Sequence, residues 1–262
     1  MRSIAIMNQK GGVGKTTTAV NTSAALAAVG LRVCLIDLDP QAHATLHFGV
    51  EPSEQGASIY DVLVGGVPLG RARRQVAENL WLVSSHIDLA AAELELAGME
   101  GRELILREKI TEDDQPLDYL LVDCPPSLGL LTINALAAVG EVFIPLQPHF
   151  LALHGLGKLL ETIELVQRRL NSSLRLSGVI FCMYDATTRL AAEVTEDVAA
   201  FFRDARQRPT VWAGAKIFQT RVRRNIRLAE APSFGQSILQ YAPQSHGAED
   251  YRRLAQEIAA GR

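Results

Sequence analysis

Asn8-Gln9-Lys10-Gly11-Gly12-Val13-Gly14-Lys15-Thr16-Thr17 is the stretch that decides how this chain is read. An apolar run, Ser3–Asn8, leads into it, and a helical pattern, Thr16–Val29, leaves it. Glycines let a backbone turn tightly and aim its N–H groups at phosphate oxygens. The helix that follows adds its positive N-terminal end. Lys15 is placed to neutralise β/γ-phosphate charge, and the Thr16 hydroxyl to ligate Mg2+. A chance Gly-rich turn would explain the glycines, but not the lysine, the threonine and the strand–helix setting together. The loop departs from the ordinary pattern of Gly, four residues, Gly-Lys-Ser/Thr: Gln9 stands where the first glycine is expected, and Lys10 is a second lysine beside it. Two cations near one triphosphate repel unless both face phosphate charge. A solvated loop lysine is the plain alternative for Lys10.

Outward from the loop, apolar runs alternate with helical patterns. Ser3–Asn8, Arg32–Asp39, Leu80–Ser84, Tyr119–Asp123, Val142–Leu146 and Gly178–Tyr184 read as short buried strands. Runs apolar on both faces are what a helix-covered parallel sheet needs. Thr16–Val29 ends at Gly30, a good helix stop. Ile133–Val139, Gly155–Leu170, Glu193–Arg203 and Ala248–Ala260 are the further helices. This order predicts an α/β fold: a mostly parallel, twisted central sheet with helices on both faces. No repeat or low-complexity linker divides the chain, so residues 1–262 are expected to form a single domain.

The 262 residues carry a net charge of -3, so any nucleic-acid surface must be a local concentration of charge. Cys34, Cys124 and Cys182 lie in or beside apolar runs and read as reduced core thiols of a cytosolic protein. Ile4 to Met7 is too short for a signal peptide's apolar region. No run approaches the ~20 apolar residues of a membrane span. No membrane association is expected.

Two predicted strands end in acids: Asp37-Leu38-Asp39-Pro40-Gln41, and Asp123-Cys124-Pro125-Pro126. Ligands of open α/β sheets bind outside the carboxyl ends of strands. Acids there can hold a metal's water shell or orient an attacking water. A single strand-end Asp is commonly a helix cap. Three acids on two strand ends, beside this loop, favour metal or water positioning.

Together these stretches resemble the ParA/MinD superfamily of P-loop ATPases with a deviant Walker A motif. Asp37 to Gln41 resembles its second motif, and Asp123-Cys124-Pro125-Pro126-Ser127 its Walker B. Met183-Tyr184-Asp185, the run Arg224 to Gly235 (RNIRLAEAPSFG), Gly247-Ala248 and Tyr251 to Ala255 resemble the ParA/Soj branch. The resemblance runs nearly end to end. It implies a single-domain P-loop NTPase, AAA-type, that hydrolyses ATP with Mg2+. It implies that ATP closes two subunits into a homodimer, with Lys10 reaching the partner's phosphates. Lys15 and Thr16 serve triphosphate and metal, Asp39 positions the hydrolytic water, and Asp123 supports the metal. The nucleotide contacts carried over are Lys10, Gly11, Gly12, Val13, Gly14, Lys15, Thr16, Thr17, Asp39 and Pro40. Met183, Arg223, Arg224 and Asn225 are added at the base, and Thr16, Asp39 and Asp123 at the metal. The dimer is expected to bind double-stranded DNA without sequence preference, to answer to a ParB-like activator, and to be cytoplasmic, nucleoid-associated when ATP-bound.

Several residues depart from that pattern. The family commonly has Ile-Pro-Arg-Asn where this chain has Val222-Arg223-Arg224-Asn225, which replaces the proline by Arg223 and leaves base contacts open. Pro148-His149-Phe150 and His154 stand where acids are expected, and Arg208–Ala215 reads as a small insertion. Residues 203–227 hold Arg203, Arg206, Arg208, Lys216, Arg221, Arg223, Arg224 and Arg227 against Asp204 alone, a local charge of +7. Phosphate-backbone binding needs such a concentration, although a charge run is often just a solvated face. The candidate DNA contacts are Arg189, Arg221, Arg224, Arg227, Arg252 and Arg253.

Three rivals remain. A MinD-like membrane-cycling ATPase needs an added amphipathic segment, but the last helix sets Tyr251, Leu254, Ala255 and Ile258 on a packing face. An iron–sulfur reductase needs cluster cysteines, and no second cysteine suits Cys124. A non-hydrolysing switch sits poorly with Lys10, Asp39 and Asp123. No helix-turn-helix extension is expected before the first strand.

Overall fold

The computed structural model describes residues 1–52, 56–149, 152–205 and 210–261. Its centre is an eight-stranded sheet in the order β3-β4-β2-β5-β1-β6-β7-β8. The strands are β1 (Arg2–Ile6), β2 (Val33–Asp37), β3 (Arg73–Ala77), β4 (Leu80–Val83), β5 (Tyr119–Asp123), β6 (Glu141–Leu146), β7 (Arg175–Phe181) and β8 (Lys216–Ile217). Among the described residues only the β3–β4 pair is antiparallel.

Strand periodicity sorts the core into two layers. Ala5, Cys34, Ile36, Leu120 and Val122 face one way, under helices that include Ala152–Arg169 and Arg189–Ala205. Ile4, Ile6, Val33, Leu35, Tyr119 and Leu121 face the other, under the loop helix Lys15–Ala28 and the C-terminal helix His246–Ala260. The fold is thus the expected mostly parallel α/β sheet, covered on both faces. All three cysteines are free and buried.

The register places the site. Asp37 of β2 and Ile6 of β1 both align with Asp123 of β5. Two acids and the start of the phosphate loop therefore leave the same edge side by side.

Several boundaries move. β2 stops at Asp37 rather than Asp39, because Asp37 turns inward to the helix His43–His47. β7 runs Arg175–Phe181 rather than Gly178–Tyr184. It breaks before Met183, whose φ of 50° is a left-handed conformation no strand sustains. The helix Arg189–Ala205 begins before Glu193, and Leu130–Ala138 before Ile133. β3 was not expected at all: its sequence RRQVA carries no apolar run, because it is a half-exposed edge strand. Beneath it the Arg73 guanidinium is buried and paired with Asp113. The helices His43–His47, Ile59–Leu63, Leu69–Ala72, Leu89–Leu96 and Ile105–Thr111 are too short for periodicity to reveal.

Candidate nucleotide site

The loop between β1 and its helix is anchored at its entry. The buried Asn8 side chain donates to the Pro145 carbonyl at 2.8 Å and accepts from the Lys10 N–H at 3.0 Å. Gly12 (φ 72°) and Gly14 (φ 93°) take left-handed backbone that other residues enter only with strain. Gly14 is the N-cap of Lys15–Ala28 and brings no side-chain acceptor, and no acid sits in the first turn. The N–H groups of that turn are thus left for an outside anion.

The two lysines part company. Lys15 is 6% exposed, and its Nζ donates to the Lys10 carbonyl at 3.0 Å, which closes the loop on itself. Burial lowers the Lys15 pKa, and the carboxylates of Asp123 and Asp39 oppose that shift. Lys10 is exposed, and its Nζ lies 2.6 Å from His149 Nε2. An ammonium only donates, so His149 Nε2 accepts and the imidazole is neutral. Burial and the Lys10 charge both hold the His149 pKa down.

The three acids also separate. Asp37 is fully buried and structural: Oδ2 accepts from the Thr45 N–H (2.8 Å) and hydroxyl (2.7 Å), and Oδ1 from the Asp39 N–H (3.2 Å). Burial pushes its pKa up to about 6 in spite of these bonds. Asp39 lines the cleft, with Oδ1 accepting from the Gln41 N–H at 3.0 Å. Asp123 is fully buried, and neither carboxylate oxygen closes a hydrogen bond of good geometry. Burial, then Asp37 and Asp39, push its pKa well up, opposed by the nearby Thr16 hydroxyl and Lys15. An orphaned buried carboxylate beside a threonine hydroxyl fits a metal ion. Among the described residues no cluster of three or more His, Cys, Asp or Glu could hold a metal by itself. That donor set suits Mg2+, which takes one or two carboxylates with waters and substrate phosphates.

A cleft of about 860 Å3 joins the loop to the chain's C-terminal part. At one end lie Gly11, Gly12, Gly14, Lys15, Thr16 and Thr17; at the other lie Met183, Arg223, Arg224, Asn225, Ile226 and Leu228. Val13, Pro40, Asp123 and Lys10 do not line it. Val13 and Asp123 are buried beneath it. The lining residues that sequence reasoning missed include His43, Pro126, Cys182, Val222 and Tyr251. Tyr251 reads as a core residue from its helical spacing and is one, 1% exposed, yet it also lines the cleft.

The basic run is less free than its sequence implies. Arg223 is bound to Asp250 and Glu249, Arg227 to Glu230, Arg203 to Glu196, Arg189 to Glu193 and Arg253 to Glu249. Arg221 stacks its guanidinium 4.4 Å from the Tyr184 ring centroid. Arg221, Arg224 and Arg252 form no ion pair among the described residues. Arg206, Arg208 and Phe150 lie outside the described residues, as does the His154 side chain. Among the described residues no helix is long and apolar enough to cross a membrane.

Fold, loop and cleft define a P-loop nucleotide-binding protein. Comparison narrows this. A family profile described as an AAA domain matches residues 1–176. The chain is 46% identical over 258 residues to the sporulation initiation inhibitor protein Soj of Bacillus subtilis, covering 98% of each chain. It is 41% identical over 261 residues to the chromosome partitioning protein ParA of Caulobacter vibrioides, covering 98% of this chain and 94% of that one. A crystal structure described as cobyrinic acid a,c-diamide synthase from Mycobacterium smegmatis, with bound ADP and magnesium, superposes with a TM-score of 0.83 at 35% identity. It covers 100% of this chain and 97% of its own. The chain belongs to the ParA/Soj family of partitioning ATPases.

Proposed function

We propose that this protein is an ATP- and Mg2+-dependent segregation ATPase that closes into a homodimer on ATP, binds double-stranded DNA without sequence preference, and releases it when a ParB-like partner stimulates hydrolysis. The observation that carries the reading is the division of labour between the lysines. Lys15 is buried in its own loop, while Lys10 is exposed and turned out of its own cleft. A cation so placed is available to a second subunit.

In this mechanism water attacks the γ-phosphorus, the bond to the β,γ-bridging oxygen breaks, and ADP leaves with inorganic phosphate. The turn N–H groups and Lys15 hold the phosphates. Thr16 and Asp123 would hold Mg2+, which supplies charge neutralisation when bound. Asp39, at the cleft wall, orients the water. The partner's copy of the exposed lysine adds a point charge where the transition state needs it. Lys10→Ala should keep nucleotide binding and lose dimer closure or turnover. Met183, Arg224 and Asn225 are assigned to the base, and Arg223 through its backbone only, since its guanidinium is taken by Asp250 and Glu249. DNA contacts are assigned first to Arg221, Arg224 and Arg252, with Arg189, Arg227 and Arg253 exchanging exposed ion pairs of little net worth for phosphates.

The test is DNA binding by the wild type and Asp39→Ala, each with ATP, ADP or no nucleotide, with light scattering for dimers. Binding should need ATP, be strongest in the variant, and fall roughly 10³-fold between 50 and 200 mM salt if about six phosphates are neutralised. ATP dimers that ignore DNA would sink the segregation role.

A further inference from the structure

The base end of the cleft is walled by residues 222–225, a segment with little secondary structure of its own. Tyr184 and Arg223 form an isolated parallel bridge, in which the Tyr184 N–H donates to the Val222 carbonyl at 2.9 Å and the Arg224 N–H to the Tyr184 carbonyl at 3.3 Å. The Arg223 N–H is outside this ladder and points to the C-terminal helix. There Asp250 Oδ2 accepts it at 2.9 Å. The same carboxylate takes the guanidinium: Nε donates to Oδ1 and Oδ2 at 3.0 Å each, and Nη2 to Oδ1 at 2.6 Å. Nη2 also donates to Glu249 Oε2 at 2.7 Å.

Asp250 is 2% exposed and follows the helix's first turn, one residue before Tyr251. A buried carboxylate is costly unless its oxygens are used. Here backbone and side chain of one residue satisfy both oxygens. The bonds turn the Arg223 guanidinium out of the cleft, toward the helix, while the backbone beside it stays in the wall.

We propose that Asp250 is a positioning residue for the nucleotide base: by holding Arg223 through backbone and guanidinium together, it sets how far residues 222–225 stand from Met183 across the cleft. This rests on reading the cleft as an adenine-nucleotide site. The clamp acts on residues at the base end that are not part of the phosphate loop, so it should affect ATP and leave the phosphates' own affinity alone. A proline at position 223 would need no acceptor, because the ladder does not use that N–H, and its ring would stiffen the segment without Asp250.

The experiment is titration calorimetry of the full chain with Mg2+ and either ATP or inorganic tripolyphosphate. Asp250→Val should weaken ATP about tenfold, or ~1.4 kcal/mol, and tripolyphosphate less than about twofold. The double variant Arg223→Pro/Asp250→Val should return ATP affinity to within about twofold of wild type. Asp250→Asn keeps an acceptor, should fall between, and stands in if Asp250→Val does not fold. Equal loss for both ligands, unchanged ATP affinity in both Asp250 variants, or a double variant as weak as the single would overturn the proposal. Lys15→Ala in the same assay should abolish both; if it binds ATP normally, the reading of the cleft fails, whatever Asp250 does.

Discussion

Replacing Asp123 by asparagine should make the nucleotide-free protein more stable and the nucleotide-bound protein less so. Asp37, Asp39 and Asp123 crowd the ends of two neighbouring strands, with Lys15 as the cation among them. Asp123 has no exposed surface and two unbonded oxygens. A buried polar group left unsatisfied costs about 1–3 kcal/mol, more if charged. Asparagine removes the charge, keeps the shape and adds a donor. The amide is polar too, so the gain is only the part of the penalty due to charge, about 1 kcal/mol, which at about 2 °C per kcal/mol in a chain of this size raises the apo Tm about 2 °C. Mg2+ and ATP at about 1,000 times Kd stabilise a binding protein by about 4.1 kcal/mol. That is a rise of roughly 8 °C for the wild type and almost none for a variant that has lost its metal-side carboxylate. Melting curves with and without Mg2+-ATP should thus cross in order. A lower apo Tm for Asp123→Asn would mean the carboxylate is already satisfied, and a retained nucleotide shift would mean it is not needed for the metal.

Gly14→Ala should lower Tm by about 2–4 °C, the cost of ~1–2 kcal/mol for left-handed backbone: a Cβ there meets only Cys182, at 3.5 Å, so space is not the obstacle. Gly11→Ala, with no such φ and open surroundings, should melt as wild type, and equal losses would refute the backbone argument. Asp113→Ala leaves the buried Arg73 guanidinium the neutral Gln115 oxygen but no counter-charge among the described residues, and should cost about 3 kcal/mol in denaturant titration; a loss below about 1 kcal/mol would show the pair idle. Burial lowers the His47 pKa to about 4, so the unfolded chain binds the extra proton between that value and about 6.5. Stability from keeping His47 neutral is complete above about 6.5 and is lost as pH falls toward 4, by about 3 kcal/mol in all. His47→Gln should flatten that slope, and an unaltered slope would clear His47 of it.

The phosphate loop and the central strands were legible because fully buried parallel strands are apolar on both faces and glycines with a lysine mark the turn between them. β3 was not, because an edge strand written RRQVA has no core face to announce it. Asp37 and Asp39 share one motif that residue type alone does not divide; the resemblance gave the water to Asp39, and the structure shows Asp37 taken by Thr45. The basic run was overestimated for a related reason: its acids, Glu230, Glu249 and Asp250, lie outside it in sequence. Arg223 marked the place where base contacts were open, but only Asp250 explains how that arginine is housed.

The C-terminal helix touches both ends of the first strand's neighbourhood. Its Tyr251 hydroxyl sits 3.3 Å from Thr18 Oγ1, on the helix that leaves the phosphate loop, and its Ile258 carbonyl accepts from Arg2 at the foot of β1. The cleft is thus assembled from residues translated first and residues translated more than 200 positions later. At ribosomal speeds of about 5–20 residues per second, the loop waits on the order of tens of seconds for its base wall. The loop itself is completed in stages: Asn8 at its entry waits for Pro145 of β6, and the far wall of the cleft waits for the C-terminal residues. A nascent chain thus lacks one wall of its nucleotide cleft until its last helix has been made.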